Sequence, residues 1–173
     1  MIRYIILLTL GLASCGNAAL PDQWRCDSDA GKYDEKAFAV PIDGGEIRTT
    51  ISFNSVHQGN EYSPVASLFL HDRTDGKNDA FVRFGLQFGV IPAAPDRITA
   101  YLITPGSRKE IGTLPQNKPF SAYIEWNDKV ASIQAGSISA TSDVSRHHIV
   151  SGTISCSSAK VEFNNNKIMP KTR

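Results

Sequence analysis

The residues able to do chemistry in this chain are present without the spacing that most catalysis requires. Glu125 stands beside Trp126, but no second carboxylate accompanies it at a spacing that would build a glycosidase pair. His147 and His148 are neighbours, and adjacent residues of an extended chain face opposite sides, so they do not simply share one ion. His57 and His71 are isolated in sequence. No Gly-x-Ser-x-Gly elbow, His-Glu-x-x-His pair or phosphate-binding loop occurs. No catalytic residue is assigned, and the pattern argues against an enzyme.

Two segments carry candidate binding chemistry. The stretch 71–79 holds Asp72, Asp75, Asn78 and Asp79 around a glycine, and hard cations such as calcium take several oxygen ligands. Its spacing departs from the helix-loop-helix calcium pattern, and the plainer reading is a polar hairpin turn around Asp75-Gly76. No cofactor is expected, and calcium at this loop is the one candidate. The second candidate is a shallow platform of Arg83, Gln87, Tyr101, Tyr123 and Glu125. Sugar rings stack on aromatic faces while planar polar groups bond their hydroxyls. The competing reading is an ordinary solvated sheet face, which needs polar residues at every second position.

These groups must be carried by strands. In Ala-Phe-Val-Arg-Phe-Gly-Leu-Gln-Phe-Gly-Val-Ile, residues 80–91, apolar Val82, Phe84, Leu86, Phe88 and Val90 alternate with Arg83, Gly85, Gln87 and Gly89. Period two predicts a long half-buried strand. Similar patterns predict strands over 47–53, 65–71, 97–103, 119–126, 129–135, 148–156 and 160–163. Turn residues such as Asp43-Gly44-Gly45, Pro105-Gly106 and Asn127-Asp128 separate them. The stretches 91–96 and 104–119 read as semi-rigid, proline-rich connectors. Helix signals are nearly absent, so the expected fold is all-β: an antiparallel β-sandwich or jelly roll.

The segment Phe120-Ser-Ala-Tyr-Ile-Glu-Trp126, the Asn127-Asp128 turn and Val130-Ala-Ser-Ile-Gln-Ala-Gly136 resemble the paired strands of concanavalin A-like and laminin-G-like sandwiches. Such domains place a Trp inward before a short turn and a Gly after the next strand. The resemblance implies a carbohydrate-binding sheet face or loop set, sometimes with calcium.

At the N-terminus, Arg3 precedes an apolar segment of signal-peptide length that is too short for a permanent membrane helix. It closes on Leu12-Ala13-Ser14-Cys15, which resembles the lipobox of bacterial lipoproteins. That resemblance implies a signal peptide over 1–14, acyl chains on Cys15 and anchoring in the lipid bilayer. In those proteins an Asp after the lipidated cysteine favours the inner membrane; Gly16 stands there, which points to the outer membrane and the periplasm or cell surface. Cleavage after Ala18 or Ala19, giving a soluble periplasmic or secreted product, stays open. Either route leaves Cys26 and Cys156, and in an oxidising compartment these are expected to form a disulfide.

The rest reads as a tether over 15–23, one sandwich domain over 24–163 and a flexible tail over 164–173. Loss of Arg3 with the leader balances 17 basic against 17 acidic residues, so nucleic acid is not an expected partner. Three functional readings follow. One is a lipid-anchored module binding glycan or another extracellular polymer. Another is a protein-binding inhibitor or immunity protein that neutralises an enzyme or toxin. The third is a structural component of the envelope.

Overall fold

The computed structural model describes residues 18–57, 63–72, 82–91, 94–145 and 147–171. The leader, Cys15 and the loop residues Asp75, Asn78 and Asp79 lie outside the described residues. Among the described residues every regular element is a strand. They are β1 (Gln23–Asp27), β2 (Tyr33–Ala39), β3 (Gly45–Val56), β4 (Val65–Asp72), β5 (Val82–Ile91) and β6 (Ala94–Thr104). The second half contributes β7 (Ser107–Pro115), β8 (Phe120–Trp126), β9 (Val130–Ala135), β10 (Ile138–Asp143), β11 (Ile149–Ser157) and β12 (Ala159–Pro170).

The strands form two six-stranded antiparallel sheets. Sheet 1 has the order β1-β12-β3-β8-β9-β10 and sheet 2 the order β2-β11-β4-β5-β6-β7. Alternation decides which side of each strand turns inward. On β8, Phe120, Ala122, Ile124 and Trp126 are buried while Ser121, Tyr123 and Glu125 point out. On β5, Phe84, Leu86 and Phe88 are buried. The Phe88 and Phe120 rings meet edge-on at 4.8 Å and join the sheets. Each such side chain contributes about 1.5–3 kcal/mol by leaving water.

The hairpin between β8 and β9 closes as the sequence expects. Asn127 Oδ1 accepts the N–H groups of Lys129 and Val130, both at 2.8 Å, which is the turn chemistry short polar side chains supply. Trp126 lies inward with its ring against Gly45. At the opposite side of the sandwich, Cys26 on β1 and Cys156 on β11 are bonded, with Cα atoms 6.1 Å apart. The bridge therefore links sheet 1 to sheet 2.

Three expectations for the ends and connectors are corrected. Residues 164–170 are not a tail but the second half of β12, with Lys167, Ile168, Met169 and Pro170 opposite Arg48, Ile47, Glu46 and Gly45. A bulge absorbs the asparagine run: Asn165 takes φ 55°, and Asn166 turns inward. There its Nδ2 donates to Pro21 O at 2.8 Å and Phe163 O at 3.2 Å. The stretch 104–119, read as a connector, contains β7. Strands β1, β2, β7 and β10 all went unanticipated, and they are the four sheet edges. Edge strands are short, exposed and charged, so apolar alternation is weak in them.

The tether expected over 15–23 is likewise held to the sheets from Ala18 onward. Ala18 O accepts from Ala39 N at 3.1 Å, and Asp22 O accepts from Asn166 N at 2.9 Å.

Two stability effects are expected. The disulfide closes a separation of 130 residues, and reduction should cost about 5 kcal/mol in the loop-entropy estimate; thermal melting with and without reductant measures it. Asn166→Ala should cost about 1–3 kcal/mol by leaving buried carbonyls unbonded, and denaturant unfolding reads that difference.

Candidate functional site

The outward face of sheet 2 gathers more chemistry than any other surface among the described residues. Antiparallel register lines up six outward residues in one row across the sheet: Glu35, Ser155, Ser67, Gln87, Tyr101 and Glu110. A groove of about 430–560 Å³ class exists on each sheet; the one here measures ≈ 560 Å³ and is lined by Gln87, Gly89, Thr99, Tyr101, Arg108, Glu110 and Ser157. Thr99 and Ser157 are buried at its base although they sit on an outward face.

At one end of this face the Arg108 guanidinium lies over the Tyr101 ring, 3.8 Å from its centroid. Gly89 makes room for both. A Cβ there would touch Tyr101 Cε2 at 3.6 Å and Arg108 Nη2 at 3.8 Å. At the other end Arg83 lies over the Phe69 ring at 5.8 Å and stands opposite His71 in register. Between the ends, Gly85 adopts φ 149°, and a Cβ would fall 2.1 Å from Leu68 O, so only glycine fits.

His71 is buried, and its Nε2 pairs with Thr153 Oγ1 at 2.8 Å. Burial, reinforced by the Arg83 charge, pushes its pKa down to about 4, so the imidazole is neutral at pH 7. The Tyr33 hydroxyl donates to Glu35 Oε2 at 2.5 Å, and burial followed by this bond raises the phenol's pKa.

The five-residue platform expected from sequence does not assemble. Arg83, Gln87 and Tyr101 share sheet 2, whereas Tyr123 and Glu125 lie on the outward face of sheet 1, across the core. Alternation along a strand assigns a residue to an outward face but does not say which of two sheets owns it. On sheet 1, Tyr123 donates to Glu125 Oε2 at 2.6 Å and carries Arg48 over its ring at 5.2 Å. Burial, then the bond to Glu125, pushes the Tyr123 pKa up to about 12. Its groove, ≈ 430 Å³, is lined by Arg48, Thr50, Ser121, Tyr123, Gln134 and Lys167.

Glu46 and Glu125 are register partners on that face. Glu46 pairs with Arg48, and Glu125 Oε1 accepts from Lys171 Nζ at 3.0 Å. The bonds from Tyr123 and Lys171 hold the Glu125 carboxyl below its ordinary pKa, the reverse of what a general acid needs.

Asp72, the one candidate calcium ligand among the described residues, is engaged within the fold. It is buried, its Oδ2 lies 2.6 Å from His147 Nδ1, and its Oδ1 accepts the His148 N–H at 3.0 Å. Both oxygens thus pin the approach to β11. Asp75, Asn78 and Asp79 lie outside the described residues, and among the described residues no three acidic, His or Cys side chains are grouped to hold a metal. Sequence reasoning passed over Phe69 and Arg108 and set His71 aside as an isolated histidine. The signal for Phe69 and His71 was the alternation through Ser67, Phe69 and His71; Arg108 lay in a charged edge strand with no such pattern.

No protein-family model matches the sequence, and the curated proteins hold no match to it. Solved structures do match in fold. A polysaccharide lyase of family 18 superposes with TM-score 0.60 at 8% identity, covering 91% of each chain. The potassium-bound carbohydrate recognition domain of Emp46p gives 0.52 at 12% identity, covering 88% of this chain and 90% of that one. A β-glucanase of Bacillus licheniformis gives 0.51 at 9% identity, with 87% and 78% covered. At these identities what is shared is the fold, an antiparallel jelly-roll β-sandwich.

The depressed His71 pKa has a measurable consequence. The unfolded chain takes a proton on this residue near pH 6.5, whereas the folded chain takes it only near 4. Acidification through that window therefore favours unfolding, and the stability present above pH 6.5 declines toward pH 4. His71→Gln should flatten this part of the profile, as melting temperatures at pH 7.5 and 4.5 for both proteins will reveal.

Proposed function

We propose that this chain is a non-enzymatic glycan-binding module, held at the bacterial cell envelope by acyl chains on Cys15, with its site on the outward face of sheet 2. The observation that carries the reading is the Gln87, Tyr101 and Arg108 group in the open groove. A planar amide and a planar guanidinium, the latter fixed by stacking on the ring, offer directed donors to sugar hydroxyls. The edge of Tyr101 adds apolar surface for a sugar ring. Proteins sharing the fold include one described as a carbohydrate recognition domain and others described as a polysaccharide lyase and a β-glucanase.

Binding without catalysis is favoured by where the carboxylates lie. Glu35 and Glu110 end the same row on edge strands β2 and β7, five strand spacings or about 24 Å apart. Glycosidase pairs work at about 5–9.5 Å. The Glu46 and Glu125 pair on the other sheet is tied up by cations.

Anchoring rests on the lipobox-like quartet, and its expected destination is the outer membrane. Cys15 precedes Ala18 by three residues, and Ala18 is bonded to Ala39 at the end of edge strand β2. An acylated Cys15 then holds that edge within about 10 Å of the lipid. The β7 edge, with Arg108 and Glu110, stands at the far side of sheet 2.

Affinity electrophoresis against a panel of soluble polysaccharides tests the site. Retardation of the wild type by at least one polymer, weakened about tenfold or more by Gln87→Ala and by Tyr101→Ala with melting unchanged, is the expected result. No retardation by any polymer would overturn the reading. Intact mass of the protein from a membrane fraction tests the anchor: a chain starting at Cys15 with added acyl mass supports it, and an unmodified chain cut near Ala19 removes it.

A further inference from the structure

Resting on the glycan-binding reading, we infer that the ligand of the sheet 2 face is an acidic polysaccharide, whose carboxylate or sulfate groups are taken by Arg83 and Arg108. On one outward face the Arg108 guanidinium lies 3.8 Å from the centroid of the Tyr101 ring and Arg83 lies over the Phe69 ring at 5.8 Å. Among the described residues neither lies within ion-pair distance of a carboxylate. Arginines placed on rings with no acid partner among the described residues keep their fork of donors for an incoming anion, and contact with the ring reduces the side-chain entropy to be lost on binding.

The rest of the face is compatible with that ligand. Among the described residues the acidic groups that share it are Glu35, whose Oε2 accepts from Tyr33, and Glu110 at the edge. His71 is neutral at pH 7 and adds no charge. Arg97, exposed on β6 and in register with Pro115, adds a third cation beyond Thr99. Selectivity therefore comes from positioned forks and not from a strong net field, in keeping with the formal charge of +1 for the whole chain.

Spacing points to a polymer. Arg83 and Gly89 are six residues apart on β5, about 20 Å along an extended strand, and Arg108 lies over the Gly89 end. Gln87 stands between them on the same side. A single sugar cannot reach both arginines, whereas a chain with an anionic group on successive units can engage them together.

The test is binding of the full chain to polygalacturonate, its carboxyl-reduced derivative, dextran sulfate and unmodified dextran, read by affinity electrophoresis and by titration calorimetry. Binding to polygalacturonate or dextran sulfate that weakens at least tenfold in Arg83→Gln and in Arg108→Gln, with Lys129→Gln unchanged, supports the inference. The two polymers distinguish carboxylate from sulfate. Loss of binding on carboxyl reduction, and tighter binding in Glu110→Gln, belong to the same outcome. Equal binding to dextran or to the reduced polymer, insensitive to either arginine, overturns the acidic ligand while keeping the glycan site. Binding to none of the four and to no other polysaccharide overturns both. Circular dichroism and melting of each variant establish that it is folded, since both arginines are exposed.

Discussion

Contact between the inner faces of the two sheets is what the remaining structure depends on. Neither sheet is stable alone, because each presents a continuous apolar surface: Ile47, Ile51, Ile124, Trp126 and Ile133 on one, Leu68, Leu70, Phe84, Leu86 and Phe88 on the other. Burying them together removes that surface from water, and strands of period two then have no choice about which residues point out. The disulfide between β1 and β11 reinforces the same contact at one side of the sandwich. It restricts the unfolded chain and adds no new surface.

Once the inner faces are committed, two separate polar faces result. On sheet 1 the charged groups are largely satisfied among themselves: Arg48 with Glu46, Lys171 with Glu125, Tyr123 with Glu125. On sheet 2 the exposed Arg83 and Arg108 lie over the Phe69 and Tyr101 rings and have no ion-pair partner among the described residues. The difference is one of partners and not of composition, and it is why the binding reading attaches to sheet 2. Two glycines make that face possible. Gly85 lets the chain pass close to the Leu68 carbonyl, and Gly89 leaves the space over which Tyr101 and Arg108 lie.

The sequence by itself determined the all-β class, the inward and outward residues of the central strands, the β8 to β9 turn and the Cys26 to Cys156 pairing. These follow from local causes: side-chain alternation, the chemistry of Asn127, and a cysteine count that left one pair. Tertiary structure decided the rest. The edge strands β1, β2, β7 and β10 form because a neighbouring strand supplies their hydrogen bonds, a cause absent from their own residues. The asparagine run joins β12 because Pro21 and Phe163 carbonyls receive Asn166. Gln87 and Tyr101 meet while Tyr123 is carried to the opposite surface, since strand order assigns outward residues to one sheet or the other. The neutral His71 and the stacked Arg108 depend likewise on burial and on contacts between strands distant in the chain.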